Sequence, residues 1–137
     1  MKKNNLLAIL DYCIIQIVPQ MAQIDILKDY VSKFNKSIDF YSIESQLTIE
    51  NCSVLRDKIK EQPKIDGFVF YSLLQLSYGN KVDLKLIEEI LSKNYKIYFY
   101  REKLNILSKN DFKKKYEKLS LFHHNNLNLI YKIKNLI

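Results

Sequence analysis

Residues 66–71 read Asp-Gly-Phe-Val-Phe-Tyr, a turn dipeptide followed directly by a short, unbroken apolar run. A strand that shows one face to water alternates polar and apolar residues. A strand that is apolar at both parities has both faces covered. Strands of that kind occur in parallel sheets held between helices, so this segment points toward an α/β architecture.

The pattern on either side agrees. Leu6–Ile17 is apolar and becomes β-branched toward its end, which predicts a buried strand that Pro19 stops. Ile24, Leu27, Val31 and Phe34 then recur at three- and four-residue spacing, predicting an amphipathic helix over Met21–Phe34. Ser37–Ile43 reads as a second strand with Ile38, Phe40 and Tyr41 as its body. A helix follows over Asn51–Glu61, with Cys52, Leu55 and Ile59 inward and Pro63 beyond its end. After the turn Gly79-Asn80, the stripe Val82, Leu86 and Ile90, flanked by Ile87 and Leu91, is the clearest helix of the chain. Lys96–Tyr100 is the fourth strand. Ser108 can cap a short last helix, which Asp111 favours and whose buried face would be Phe112, Tyr116 and Leu119. The tail Leu127–Ile137 fits a strand by its alternation and a helix by the spacing of Leu129, Ile130, Ile133 and Ile137, with helix preferred. The order β-α-β-α-β-α-β-α predicts a three-layer α/β sandwich around a mainly parallel sheet of four or five strands, Rossmann-like in layout.

A chain of 137 residues fits one domain, here residues 1–122, with 123–137 as a helical C-terminal extension. Ten Tyr and seven Phe can furnish its core without a metal or disulfide, and Cys13 and Cys52 match no CxxC pattern. The net charge of +7 is almost all Lys; Arg56 and Arg101 are the two arginines. Phosphate and base recognition favours the arginine fork, so solvated lysine faces are the better reading and nucleic acid is not the expected partner. Lys2 and Lys3 ahead of Leu6–Val18 superficially resemble a signal peptide, but Asp11 and Gln16 interrupt the stretch. It is also shorter than the ~20 residues of a spanning helix. A cytoplasmic protein with no membrane span is expected. The apolar tail points to packing on a partner subunit, hence to a homo-oligomer.

In parallel sheets ligands bind beyond the carboxyl ends of the strands. That rule selects Gln20, Gln23, Ser42, Glu44, Asn51, Tyr71, Ser72, Gln75, Arg101 and Glu102. Their amides, hydroxyls and carboxylates suit a polyhydroxylated ligand. Glu44 and Glu102 could share acid–base work if they approach each other. No GxGxxG, Walker A loop or GxSxG is present, so no cofactor is expected. His123-His124 point to different faces of either element and make a poor metal site.

Three stretches carry a family resemblance. They are Val18-Pro19-Gln20-Met21-Ala22-Gln23 running into Leu27-Lys28-Asp29-Tyr30, then Asp66-Gly67-Phe68-Val69-Phe70-Tyr71-Ser72-Leu73, then Arg101-Glu102 with Leu104. Together, from about Ile14 to Leu121, they resemble the bacterial "sporadic carbohydrate cluster" family, small proteins encoded within surface-polysaccharide loci. The resemblance singles out Gln20, Gln23, Asp29, Tyr30, Glu44, Asp66, Gly67, Tyr71, Ser72 and Glu102. It implies a place in surface-glycan biosynthesis and names no reaction. Members usually carry Ser-Arg and a Gly after the first strand, where this chain has Cys13-Ile14-Ile15-Gln16-Ile17, and Lys28 stands where Arg is usual.

At the level of fold the layout also resembles the catalytic domain of serine recombinases. Their Tyr-x-Arg-Val-Ser is missing after the first strand, so recombination by that nucleophile is not expected. Three functions are left. The first is binding or modification of a sugar or nucleotide-sugar, with Glu44, Glu102 and Tyr71 as catalytic groups and Gln20, Gln23, Ser42, Asn51, Ser72, Gln75 and Arg101 as binding groups. The second is a non-catalytic partner of another glycan-pathway enzyme. The third is a catalytically dead, resolvase-like nucleic-acid binder that would use Lys109, Lys113, Lys114 and Lys115.

Overall fold

A computed structural model of the chain describes residues 4–11, 15, 18–44, 52–78 and 81–134, with the side chains of 77, 78, 81 and 122–134 excepted. The strands are β1 (Asn5–Asp11), β2 (Ser37–Glu44), β3 (Gly67–Phe70), β4 (Ser77–Tyr78), β5 (Lys81–Val82), β6 (Lys96–Phe99) and β7 (Leu104–Ile106). The helices are α1 (Gln20–Ser32), α2 (Ser53–Lys60), α3 (Leu84–Ser92) and α4 (Lys109–Lys134), and a 3₁₀ turn spans Leu73–Leu76.

The main sheet has five strands in the order β2-β1-β3-β6-β7. The first four are parallel and β7 returns antiparallel on β6. The expected three-layer α/β sandwich therefore forms, with strand direction of travel reversing between β1 and β3. The strand parities divide the core. Leu7, Ile9, Phe68, Phe70, Ile97 and Phe99 face α2, α3 and α4, whereas Leu6, Ala8, Leu10, Val69 and Tyr98 face α1. Every residue of β3 is buried, as its unbroken apolar run demands.

The Asp-Gly dipeptide ahead of β3 has a packing reason. A Cβ on Gly67 would lie 2.1 Å from the Lys96 carbonyl oxygen, so no other residue fits there without moving β6. Asp66 bonds its carboxylate to Lys36 at 2.8 Å and Lys96 at 3.4 Å, pinning the amino edge of the sheet. This motif, the most distinctive of the chain, thus sits at the edge opposite to the one where ligands bind in parallel sheets.

Several boundaries differ from expectation. Among the described residues β1 runs Asn5–Asp11, paired with β3 as far as Ile9 and with β2 as far as Asp11, and most of the stretch expected to continue it to Ile17 lies outside them. Ile15 already has helical backbone. Phe40 is 55% exposed because β2 is an edge strand with a neighbour on one side only. Tyr116 is 49% exposed, off the stripe of buried Phe112 and Leu119, and meets Phe112 edge-on with ring centres 5.7 Å apart. The short last helix instead runs 26 residues, through His123–Asn126 and into the tail. No Pro or Gly interrupts it, and polar residues cost a helix only a few tenths of a kcal/mol each. Its start follows expectation: Ser108 Oγ accepts from Asp111 N–H at 3.1 Å. The strand β7 and the β4–β5 hairpin were not anticipated; both are very short. The turn Gly79-Asn80 and the tail beyond Lys134 lie outside the described residues. Among the described residues, no helix is long and apolar enough to cross a membrane.

Candidate functional site

Most of the polar groups singled out at the carboxyl edge serve the backbone. Glu44 ends β2 and is buried. Its Oε1 accepts from Val54 N–H at 3.0 Å and its Oε2 from Leu55 N–H at 2.9 Å. It caps α2, where free N–H groups and the helix dipole both favour a carboxylate. Glu102 does the same for the 3₁₀ turn, accepting from Leu73 N–H at 2.8 Å and from Ser72 Oγ–H at 2.7 Å. Ser72 Oγ in turn accepts from Leu74 N–H at 3.2 Å. Gln75 Oε1 accepts from Ser72 N–H at 3.1 Å, and its Nε2 donates to the Ile9 carbonyl at 2.7 Å.

Glu44 and Glu102 do not form a pair. Strands β1 and β3 stand between their strands, a separation of about 14 Å at ordinary strand spacing. Each carboxylate is also spent on a different cap. The joint acid–base role is therefore not supported by the arrangement.

Gln23 is fully buried on α1; its Nε2 donates to the Val18 carbonyl at 2.8 Å. Its Oε1 has no partner among the described residues. Gln20 is the exposed first residue of α1, and Ser42 is half-buried on β2, on the face that carries α2. Asn51 and most of the loop after β1 lie outside the described residues. The side chains of His123 and His124 are likewise outside them. Among the described residues, no group of three or more His, Cys, Asp or Glu side chains is placed to hold a metal ion.

What does converge is a set of tyrosines and cations. Residues just past the ends of β3 and β6 continue the strand parity, so Tyr71 and Tyr100 fall on the α1 side of the sheet. Their rings lie 5.3 Å apart, and Tyr30 from α1 meets Tyr100 edge-on at 5.6 Å. Tyr30 donates its hydroxyl to Asn105 Oδ1 at 2.7 Å, tying α1 to β7. The turn joining β6 to β7 closes with Lys103 N–H donating to the Tyr100 carbonyl at 3.1 Å. Lys103 has left-handed backbone, φ 51°. Its ammonium donates to that same carbonyl at 2.9 Å and sits 3.4 Å from the centre of the Tyr100 ring. Arg101 stands exposed at the tip of the turn.

The electrostatics favour the neutral form of Tyr71 and Tyr30. Burial raises the pKa of Tyr71; Tyr100 and Glu102 push the same way, against the nearby Arg101 charge. Burial also raises Tyr30, with Glu102 adding to it and the Asn105 bond opposing. A phenol with a raised pKa donates and accepts hydrogen bonds but makes a poor base at neutral pH. The arrangement can therefore hold a ligand more readily than it can activate one.

Of the residues expected from sequence, the cluster includes Tyr71 and Arg101, together with Tyr30, which the resemblance singles out. Tyr100, Lys103 and Asn105 were missed as site residues. Their signal was the β6–β7 hairpin, hidden because β7 is three residues long and its turn lacks glycine. No protein-family model and no curated protein matches this chain.

Proposed function

We propose that this chain binds a sugar or nucleotide-sugar in bacterial surface-glycan biosynthesis, at the tyrosine–cation cluster beyond the carboxyl ends of β3 and β6. The observation that carries the reading is the convergence of Tyr30, Tyr71 and Tyr100 with Arg101 and Lys103 at one edge of the sheet. Aromatic rings offer apolar faces with a polar tip, and guanidinium and hydroxyl groups match sugar oxygens. The edge is the one where parallel sheets bind ligands. The pathway rests on the resemblance to the sporadic carbohydrate cluster proteins.

Binding is favoured over turnover, since Glu44, Ser72, Gln75 and Glu102 are engaged with the backbone. The same observation favours a second reading, a non-catalytic partner that presents or retains the ligand for another pathway enzyme.

A thermal-shift screen against free sugars, sugar phosphates and nucleotide-sugars, with duplex DNA as control, tests the first reading. A ligand at 100 times its Kd adds about 2.7 kcal/mol to stability. A shift with one sugar class that disappears in Tyr71→Ala supports the site. The absence of any sugar response, with retention of a glycan-pathway enzyme on co-purification, would leave the partner reading instead.

A further inference from the structure

We infer that this cluster takes a phosphorylated ligand, a sugar phosphate or nucleotide diphosphate-sugar whose phosphate sits between Arg101 and Lys103. The inference rests on the sugar-binding reading above and narrows its ligand class. It begins with the turn Tyr100-Arg101-Glu102-Lys103, where an acidic residue lies between two basic ones. In an ordinary solvated turn the carboxylate would offset its neighbours. Here Glu102 turns inward to Ser72 Oγ and Leu73 N–H, and both cations are left exposed. Neither forms an ion pair among the described residues. Abundant lysine does not account for this. The chain's other arginine, Arg56, is bonded to Asp83 at 3.0 Å and lies 3.9 Å from Glu89.

The second argument is backbone strain. Lys103 occupies the left-handed region at φ 51°, where a residue with a Cβ pays about 1 kcal/mol or more that glycine would not. Asn35, Cys52, Gln62 and Asn94 share this conformation beside helix ends, so what sets Lys103 apart is where its side chain is held. The Lys103 ammonium is held by the Tyr100 carbonyl and ring face, so it is positioned before any ligand arrives. An ammonium has three donors and this one spends a single donor on the carbonyl; the others remain for an anion. Arg101 adds a planar fork suited to two phosphate oxygens. The Tyr71 hydroxyl, within reach of the Arg101 charge and with no protein partner among the described residues, supplies a neutral donor beside them. A neutral sugar can accept hydrogen bonds from these cations but leaves their charge uncompensated; a phosphate accepts the bonds and offsets the charge.

The test is isothermal titration of the full chain with glucose 1-phosphate, UDP-glucose, UDP, inorganic phosphate and free glucose, repeated with mannose counterparts and a duplex DNA. Phosphorylated sugars are expected to bind at least about tenfold more tightly than the free sugars. Arg101→Gln and Lys103→Gln should each cost about tenfold for phosphorylated ligands and clearly less for free sugars, since bonds to charged groups are the stronger ones. Lys103→Gly, which relaxes the turn, should lose the same affinity, separating charge loss from misfolding. Equal affinity for free and phosphorylated sugars overturns this inference and leaves the sugar reading standing. Binding of UDP or inorganic phosphate without any contribution from the sugar keeps the anion site and overturns the sugar reading. No binding of any small ligand, or preference for DNA, overturns both.

Discussion

Ser72 Oγ donates to Glu102 Oε2 at 2.7 Å, joining the end of β3 to the turn after β6. The bond holds the second carboxylate of the expected acid–base pair inside the protein, where it orders the turn from beneath. Arg101 and Lys103 are thereby left as the charged groups that the turn presents outward. Tyr71, directly ahead of Ser72, is set beside Tyr100 by the same junction.

Removing that carboxylate should loosen the edge. Glu102→Ala frees Leu73 N–H and the Ser72 hydroxyl, at a cost of about 1–2 kcal/mol, typical of a lost cap. Urea denaturation at neutral pH measures it. Unchanged stability would mean the bonds are replaced by water at no cost and that Glu102 is free for another role.

Gly67→Ala should be far more damaging. Its Cβ meets the Lys96 carbonyl oxygen at 2.1 Å, and the neighbour is strand backbone that cannot swing aside. A loss of about 3 kcal/mol is expected, at the upper end for overpacking. Soluble yield and urea midpoint read it, and a wild-type midpoint would show that β3 and β6 sit further apart than described.

Lys103→Gly separates stability from binding. Glycine relieves the left-handed strain but gives up the contact with the Tyr100 ring and adds freedom to the unfolded chain. One gain of about 1 kcal/mol stands against two losses of about 1 kcal/mol each, so stability should fall by only about 1 kcal/mol. Ligand affinity should nevertheless fall. A strongly destabilised variant would make Lys103 a structural residue.

Alkaline pH should weaken the fold through Tyr98. Burial, with Asp66 and Tyr30 adding to it, pushes its pKa from 10.0 up to about 12. Above pH 10 the unfolded chain releases this proton while the folded chain keeps it, so stability is full below pH 10 and declines toward pH 12. Tyr98→Phe should flatten part of that decline and change little at pH 7. Urea titrations at pH 7, 10 and 11 provide the comparison. An identical slope in both proteins would mean that Tyr98 titrates normally.

Local chemistry was enough to specify the layers of this protein. The uninterrupted run of β3, the helical stripes of α1 and α3, and the Ser108 cap each act over a few residues, through burial on two faces, 3.6-residue periodicity and one hydrogen bond. Those signals survive in any context, so the parallel α/β order could be read from them. The position of Tyr71 and Arg101 at the carboxyl edge followed from that order.

Contacts distant in sequence decided the rest. Glu44 and Glu102 looked equivalent as carboxylates after strands, and only the order β2-β1-β3-β6-β7 shows that two strands separate them. Whether each faced a ligand or a helix end depended on N–H groups 10 and 29 residues away. The tyrosine cluster joins Tyr30 to Asn105 across 75 residues, and no local pattern encodes such a contact. Periodicity reports which face of a segment is buried. What that face meets is set by how the segments stack, and at the carboxyl edge of this sheet that stacking turns Glu44 and Glu102 onto caps and leaves Arg101 and Lys103 facing outward beside the tyrosines.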